Sequence, residues 1–255
     1  MNFLHVRHAT SLLTYGGLKI LVDPVFAEKG LYPPIDNTPN QRPNPLVNLS
    51  TPLDTLLDSD AILCTHTHDD HFDKIALQLI DKNTPIICQS EDENHFISNK
   101  FNNVFPVKKS IIYKNIHIER VNAQHGDLKT SAMLGSTSGY ILSAKDEPKI
   151  YFLGDTIFTD EVKNNILQYK PDILVINAGS PKFLDSSPLV MDIYDIEKTI
   201  KINTNLQFVI VHLDTFNHCI ETREIIKEYF NSKKLKELNI DNFLIPDDNE
   251  TIYFK

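Results

Sequence analysis

Residues 61–71 read AILCTHTHDDH, and this stretch decides the fold. Its first four residues, AILC, form an apolar run that is too short for a helix, which predicts a strand buried on both faces. The seven residues that follow hold three histidines and two aspartates. Chance placement of an H-x-H-x-D-H pattern in a chain of this composition is on the order of one in a thousand. The stretch therefore predicts a functional site where a buried strand ends.

Histidines and carboxylates at this spacing suit a divalent metal site. The backbone must turn sharply between the strand and the helix predicted after it, so side chains two apart can converge on one ion while the next pair reaches a second. Neutral imidazole binds Zn²⁺, Mn²⁺ or Fe²⁺, and carboxylates add charge for a second divalent ion. A solvated polar turn is the alternative, but so many titratable groups without a counter-ion would suffer desolvation and repulsion.

Three further apolar runs share the character of the first. They are IYFL at 150–153, ILVI at 173–176 and FVIV at 208–211, and each is followed at once by small or polar residues: GDT, NAGS and HLDTFNH. Four central strands are thus predicted, each followed by polar residues that could form a site. Ligand sites at strand ends are the usual arrangement in α/β proteins.

Helices and hairpins complete the predicted architecture. Helical periodicity follows several of these strands, with Thr159 and Asp192 as candidate N-caps. Hairpins are expected around Gly16-Gly17 and around Lys114-Asn115. This mixture of meander and β-α alternation predicts sheets covered by outer helices. Residues 32–52 hold six prolines and form a long stiff loop, either a surface connection or a wall of a substrate pocket.

The H-x-H-x-D-H segment resembles the hallmark of the metallo-β-lactamase superfamily. Later segments, AQHGD, YFLGDT and VIVHLDTFNH, are similar to its remaining metal-binding segments, each just after a predicted strand. The resemblance implies a four-layer αβ/βα sandwich, with two mixed β-sheets flanked by helices, in a single domain spanning 1–255. It also implies two divalent metal ions, with zinc or manganese favoured over iron. The implied ligands are His66, His68 and His125 for one ion, Asp70, His71 and His212 for the other, and Asp155 bridging both.

The N-terminal segment at 7–26, RHATSLLTYGGLKILVDPVF, points to one branch of that superfamily. Its HAT segment, Gly-containing hairpin and DP dipeptide are similar to the branch that holds L-ascorbate-6-phosphate lactonase and N-acyl-phosphatidylethanolamine phospholipase D. The resemblance covers essentially the whole chain. Its motifs are specific for fold and metal but poor for substrate.

The expected function is hydrolysis by a metal-bound hydroxide, with Asp70 and Asp155 as the catalytic carboxylates. The lactonase-like segment favours a small, anionic ester or lactone as substrate. Phosphodiester cleavage at the same site is the first alternative. A protein that binds metal and ligand without turnover is the second, which retention of all seven ligand types argues against.

Four further residues are candidates for binding the substrate. His8 and His218 could supply a general acid, Asn177 could line the pocket, and Lys182 could meet an anionic group. Each has an equally simple structural interpretation, as a satisfied histidine, a strand-to-loop turn or a solvated lysine.

Charge and composition narrow the partners. The net charge of −9 argues against a broad basic surface for binding nucleic acid. No apolar run approaches the length needed to span a membrane. The N-terminus lacks the features of a signal peptide, and three cysteines without a disulfide-like spacing indicate a reducing compartment. We therefore expect a cytoplasmic protein that acts on a small molecule. The resemblance also implies self-association into a homo-oligomer, although the sequence identifies no interface.

Overall fold

Two seven-stranded sheets form the framework of the computed structural model, which describes residues 1–254. The first sheet contains β1 (Asn2–Arg7), β2 (Thr10–Tyr15), β3 (Leu18–Val22), β4 (Ala61–Cys64), β5 (Ile86–Gln89), β6 (Val104–Val107) and β14 (Glu250–Tyr253). The second contains β7 (Ser110–Tyr113), β8 (Ile116–Ala123), β9 (Thr137–Ala144), β10 (Ile150–Phe152), β11 (Ile173–Asn177), β12 (Gln207–Val211) and β13 (Phe243–Leu244). The helices are α1 (Leu53–Leu57), α2 (Lys74–Leu79), α3 (Glu93–Ser98), α4 (Leu128–Leu134), α5 (Asp160–Tyr169), α6 (Ile193–Ile200), α7 (Arg223–Tyr229) and α8 (Ser232–Glu237).

Both sheets are mixed. The first has the order β14-β1-β2-β3-β4-β5-β6, antiparallel from β14 to β3 and parallel from β3 to β6. The second has the order β13-β12-β11-β10-β9-β8-β7, parallel from β13 to β10 and antiparallel from β10 to β7. Most antiparallel pairs are formed by strands that are consecutive in the chain, and β-α alternation supplies most of the parallel strands, as the sequence predicts; β14, near the C-terminus, is added beside β1.

Three apolar cores hold these layers together. One lies between the sheets, where Phe3 and Leu63 of the first sheet share a buried cluster with Tyr140 and Phe152 of the second. A second cluster joins the second sheet to α5, α6 and α7, and a third joins the first sheet to α2 and α3. The order helix, sheet, sheet, helix confirms the predicted four-layer sandwich.

Local predictions from the sequence are confirmed at most points. Gly16-Gly17 joins β2 to β3, and the Thr159 and Asp192 side chains cap α5 and α6. The helix after the histidine-rich segment begins at Lys74, behind an Asp73 side chain that caps it by accepting from the Ala76 N–H. The Asp73 carboxylate also accepts hydrogen bonds from the backbone N–H groups of residues 26 and 27, which ties this helix to the segment after β3.

The topology brings several strand ends to one edge of the sandwich. The segments that follow β4 in the first sheet and β8, β10 and β12 in the second carry all the predicted metal ligands. These segments meet between the two sheets, which places the candidate site there. Within residues 1–254, no helix combines the length and apolar character needed to cross a bilayer.

Candidate metal centre

The histidine-rich turn gathers its side chains because the chain folds back on itself after β4. The backbone N–H groups of His71 and Phe72 both donate to the carbonyl oxygen of His68, at 2.9 Å each. This tight turn directs three imidazoles and a carboxylate into the space between the sheets. The turn is largely buried, with His66 and His71 at most 1% exposed.

Every predicted ligand reaches a common cluster. The ring nitrogens of His66, His68 and His125 lie within 4.8 Å of one another. A second group with the same spacing contains Asp70, His71 and His212, and it also includes His8. The two groups match the two ligand sets that the sequence resemblance implies, with His8 as an addition.

Asp155 lies between the two groups. Its Oδ1 is 3.3 Å from His71 Nε2, and its Oδ2 is 3.6 Å from both His125 Nε2 and His212 Nε2. The carboxylate is held there by Asn177, whose Nδ2 donates to Asp155 Oδ1 at 2.7 Å. Asp155 therefore contacts histidines of both groups, and its bridging role stays a prediction.

Each of the five histidines predicted as ligands is oriented by a contact between one of its ring nitrogens and an oxygen atom of the protein. The contacts are His66 Nδ1 to Thr65 Oγ1 (3.1 Å), His68 Nε2 to the Leu134 carbonyl (3.0 Å), His71 Nδ1 to Asp23 Oδ2 (2.8 Å), His125 Nδ1 to the Leu189 carbonyl (3.0 Å) and His212 Nδ1 to the Ala178 carbonyl (3.1 Å). An anchored N–H fixes the tautomer and leaves the other nitrogen as a lone-pair donor. The remaining ring nitrogens converge on the centre, where His66 Nε2 and His68 Nδ1 lie 3.0 Å apart.

Asp23 is a member of this network that the sequence analysis did not single out. Its carboxylate accepts from the Thr65 backbone N–H at 2.8 Å and the Thr65 hydroxyl at 2.7 Å, besides the His71 contact. It lies just after β3, in the same position relative to its strand as the metal-binding segments. The DP dipeptide was the visible sign, but its role depends on a pairing of β3 with β4 that the sequence alone does not show.

The protonation states favour cation binding. Burial lowers the pKa of His66, His125 and His212, that of His212 to about 4, so these imidazoles are neutral at pH 7. Burial opposes ionisation of Asp70 and Asp155, yet the surrounding histidines hold the pKa of each carboxyl well below its usual range.

His71 is the exception among the imidazoles. Burial favours its neutral form, but the carboxylates of Asp155 and Asp23 raise its pKa well above the ordinary value. An imidazolium at this position supplies the positive charge that buried carboxylates require. A divalent cation in the centre would supply that charge instead.

Two buried atoms support the fit of these residues to a metal. His71 Nε2 and His212 Nε2 have no hydrogen-bond partner in residues 1–254, although both are shielded from solvent. Buried polar nitrogens are normally paired, and an unpaired one is costly. Both atoms point into the cluster of ligand groups, so a metal ion would satisfy them. Neutral imidazoles and ionised carboxylates are also the donor set that Zn²⁺, Mn²⁺ and Fe²⁺ accept.

The four residues predicted to bind substrate fall into different places. His8 Nε2 and His218 Nε2 each lie 3.4 Å from Asp70 Oδ2, so both contact the centre. Asn177 is buried against Asp155 and is not among the residues that line the adjacent cavity. Lys182 is not in the cavity lining either, where Lys74 is the lysine present. Asn177 therefore contacts a predicted metal ligand, and the roles in substrate binding that the sequence suggests for Asn177 and Lys182 stay predictions.

A cavity of about 450 Å³ opens onto the centre. Its floor is formed by His68, Asp70, His125 and His218, and its wall comes largely from the proline-rich loop. The apolar and aromatic residues of the lining are Tyr32, Pro33, Pro34, Ile35, Leu134, Phe183, Leu189 and Phe216. Of the two interpretations of that loop, the structure supports the pocket wall.

The fold and the histidine–carboxylate cluster define a metal-binding α/β sandwich, and comparison with known proteins identifies its family. Residues 3–211 match the family model described as the beta-lactamase superfamily domain. The chain belongs to the metallo-β-lactamase superfamily, as the sequence resemblance implied. The narrower likeness to the lactonase branch is not confirmed.

Several relatives match over the whole chain. The UPF0173 protein YddR of Bacillus subtilis is 32% identical, with full coverage of both chains. The crystal structure of a possible metal-dependent hydrolase from Veillonella parvula DSM 2008 superposes with a TM-score of 0.93 at 30% identity, covering 99% of this chain and 98% of the other. The crystal structure of the isothiocyanate hydrolase from Delia radicum gut bacteria also superposes with a TM-score of 0.93, at 32% identity, covering 100% of this chain and 99% of the other.

Proposed function

We propose that this protein is a metal-dependent hydrolase whose substrate is a small, uncharged isothiocyanate with an apolar substituent. The cavity carries this proposal. It presents the ligand cluster on one side and apolar side chains, including Pro33, Pro34 and Phe216, on the other. Pockets of this size with an apolar wall and a few convergent polar groups are typical of small-molecule sites.

Charge in the cavity favours a neutral substrate. Asp36 and Asp69 line the cavity together with Lys74, besides the Asp70 carboxylate of the centre. Bound metal ions would add positive charge at the centre itself, so the side-chain charges bear on the part of the substrate that lies away from the metal. There, two carboxylates against one lysine favour an uncharged substituent over an anionic one. An uncharged ester or lactone is retained as the comparison substrate.

Similarity to a relative of stated activity supports the choice of an isothiocyanate among the possible uncharged electrophiles. The isothiocyanate hydrolase from the Delia radicum gut bacteria matches this chain end to end at 32% identity. That identity equals the 32% of the Bacillus subtilis relative, and the match includes the loop that forms the cavity wall. The substrate itself remains a proposal for this chain.

The reaction assigns simple tasks to the side chains. Hydrolysis of R–N=C=S adds one water to the central carbon and releases R–NH₂ and O=C=S, so the water oxygen goes to carbonyl sulfide and both protons go to nitrogen. Bound metal ions would activate the water and polarise the substrate. Asp70 and Asp155 orient the water as hydrogen-bond acceptors, and His218 takes its first proton. His218 lines the cavity and contacts Asp70, so it can pass that proton to the substrate nitrogen.

The test is a substrate comparison with protein loaded with zinc or with manganese. Benzyl isothiocyanate, an uncharged lactone, a phosphorylated lactone and a phosphodiester are compared by kcat/KM. Amine release is measured instead of isothiocyanate loss, because the thiols of the three cysteines could consume isothiocyanate without releasing amine. Metal content is determined on the same samples by elemental analysis.

We expect release of benzylamine with the highest kcat/KM of the series, together with bound divalent metal. His68→Ala should abolish the activity and lower the metal content. The matched control is Asp248→Asn, which alters a partly exposed carboxylate away from the cavity that contacts Arg223 at 2.8 Å and His5 Nε2 at 3.6 Å. Cleavage of a lactone or phosphodiester with benzyl isothiocyanate left intact would refute the substrate assignment.

A further inference from the structure

One buried amide ties the cavity wall to the metal-binding segment. Asn217 is 0% exposed and directly precedes His218. Its Oδ1 accepts from the Ile35 backbone N–H at 3.0 Å and from Asn44 Nδ2 at 2.6 Å. Its Nδ2 donates to Thr38 Oγ1 at 2.7 Å and to the Asn40 carbonyl at 2.5 Å, with the Ile35 carbonyl at 3.1 Å. Both lone pairs and both protons of the amide are therefore used.

The second amide of this pair completes a reciprocal contact. Asn44 Oδ1 accepts from the Asn217 backbone N–H at 2.8 Å, while Asn44 Nδ2 donates to the Asn217 side chain. The next link is the Leu46 N–H, which donates to the Thr215 carbonyl at 2.7 Å. The loop is thus fixed to the 212–218 segment at several points, most of them through one side chain.

The segment between these points has no regular secondary structure. Residues 33–43 contain no strand or helix, and the contacts within the loop include the bridge between Tyr32 and Asn44 and the hydrogen bonds of the Thr38 hydroxyl with two carbonyl oxygens. Proline limits the backbone freedom of this wall segment (residues 32–44) but does not fix its distance from the centre. Its other attachments to the rest of the protein are the Leu184 N–H on the Asn37 carbonyl and the Tyr32 hydroxyl on Asp73, so Asn217 makes most of the hydrogen bonds that hold it in place.

We propose that Asn217 is a positioning residue that sets the width of the cavity and thereby selects the apolar substituent of the substrate. Pro33, Pro34 and Ile35 form the wall against which that substituent packs, and Phe216 faces the same cavity. The amide acts through the wall segment and does not line the cavity. This inference rests on the proposed function for the identity of the substrate, but not for the attachment itself.

The chemistry of the contacts requires an amide at this position. Aspartate would match the Ile35 N–H and the Asn44 side chain, but it would also turn a charged oxygen toward the Asn40 and Ile35 carbonyls. A buried acceptor facing acceptors is costly. Asn217→Asp should therefore release the wall as effectively as Asn217→Ala, although aspartate and asparagine are the same size.

The experiment has one readout that is independent of substrate. Hydrogen exchange measured by mass spectrometry on the intact metal-loaded protein reports the Ile35 amide, which donates to Asn217 Oδ1. We expect exchange in the wall segment to become faster in Asn217→Ala and Asn217→Asp. Asn44→Ala, which removes the partner side chain, should have the same effect if the Asn217 variants do not fold. The matched control is Asn165→Ala, a buried asparagine of α5 outside this contact.

The second readout is whether Asn217→Ala changes KM or kcat, measured with two isothiocyanates that differ in the size of the substituent. For benzyl isothiocyanate we expect KM to rise about tenfold in Asn217→Ala, as for the loss of one well-made contact of about 1.4 kcal/mol. For methyl isothiocyanate, KM and kcat should stay near the wild-type values, with metal content unchanged.

Two results would overturn the inference. Unchanged exchange in the wall segment would show that Asn217 does not hold it. An equal fall in kcat for both substrates, with loss of metal, would show that Asn217 supports the centre and not the wall. If neither isothiocyanate is hydrolysed by the wild type, the proposed function fails, while the exchange result still decides whether Asn217 positions the wall.

Discussion

Asp23→Asn tests whether the oxygen anchors around the cluster control metal binding. The carboxylate of Asp23 accepts three hydrogen bonds, from Thr65 N, Thr65 Oγ1 and His71 Nδ1, at 2.7–2.8 Å. An asparagine has one acceptor oxygen, so its NH₂ group must face at least one of these donors. His71 then loses the negative partner that orients its ring and increases the basicity of Nε2.

The size of the effect follows from this loss. Removal of such an outer-shell partner lowers metal affinity by about 10- to 100-fold, which corresponds to about 1.4–2.7 kcal/mol. Both Asp23 and His71 are at most 1% exposed, so solvent cannot replace the contact and the upper part of this range is expected. His71 belongs both to the group with His8, Asp70 and His212 and to the group with His66 and Asp155. If the centre holds two ions, as the sequence predicts, the loss should fall mainly on the ion that His71 binds.

The assay is competition for zinc between apo-protein and a chromophoric chelator. Wild type should show two binding steps, and Asp23→Asn should weaken one of them. Asp248→Asn serves as the control because its His5 contact lies outside the cluster, and it should leave both steps unchanged. If folded Asp23→Asn binds both ions as the wild type does, the anchoring argument is wrong.

Two further predictions concern stability and are measured by urea unfolding. Gly154 has φ +68°, and a Cβ there would lie 2.3 Å from the Ser138 carbonyl oxygen, so Gly154→Ala should lower the free energy of unfolding by about 3 kcal/mol or more. Gly17 is also at positive φ but lies in open space, so Gly17→Ala should lower it by only about 1 kcal/mol. Equal losses in the two variants would contradict the steric argument. Burial, followed by the nearby Asp192 charge, raises the pKa of Glu221 from 4.5 to about 7. The folded state therefore holds this proton more tightly than the unfolded state does. The resulting stabilisation by Glu221 is complete below pH 4.5 and is lost as the pH rises through 7. Glu221→Gln should therefore gain stability relative to wild type between pH 5 and pH 8, by about 1–2 kcal/mol after allowance for partial exposure, and parallel pH profiles would exclude this.

The sequence predicts the cluster well because its members are tied to local patterns. The buried strand before THTHDDH fixes the start of the turn, and His125, Asp155 and His212 each follow a strand that apolar composition reveals. Asn177 also follows a strand and contacts Asp155, but neither it nor Lys182 is among the residues that line the cavity. A strand end places the backbone at the correct edge, but it does not determine which way each following side chain points.

The features that the sequence does not reveal are those made by contacts between distant segments. Asp23 and His71 are 48 positions apart, and Asn44 and Asn217 are 173 apart. No periodicity or spacing connects such pairs, because each depends on the final packing of the two sheets. The metal ligands are therefore predictable from strand ends, whereas the residues that orient the ligands and shape the cavity become visible only in the folded structure. This division has a consequence for function: a chain that keeps the H-x-H-x-D-H segment retains the capacity to bind metal, while changes at Asn217 or in the wall segment would alter which substrate reaches it.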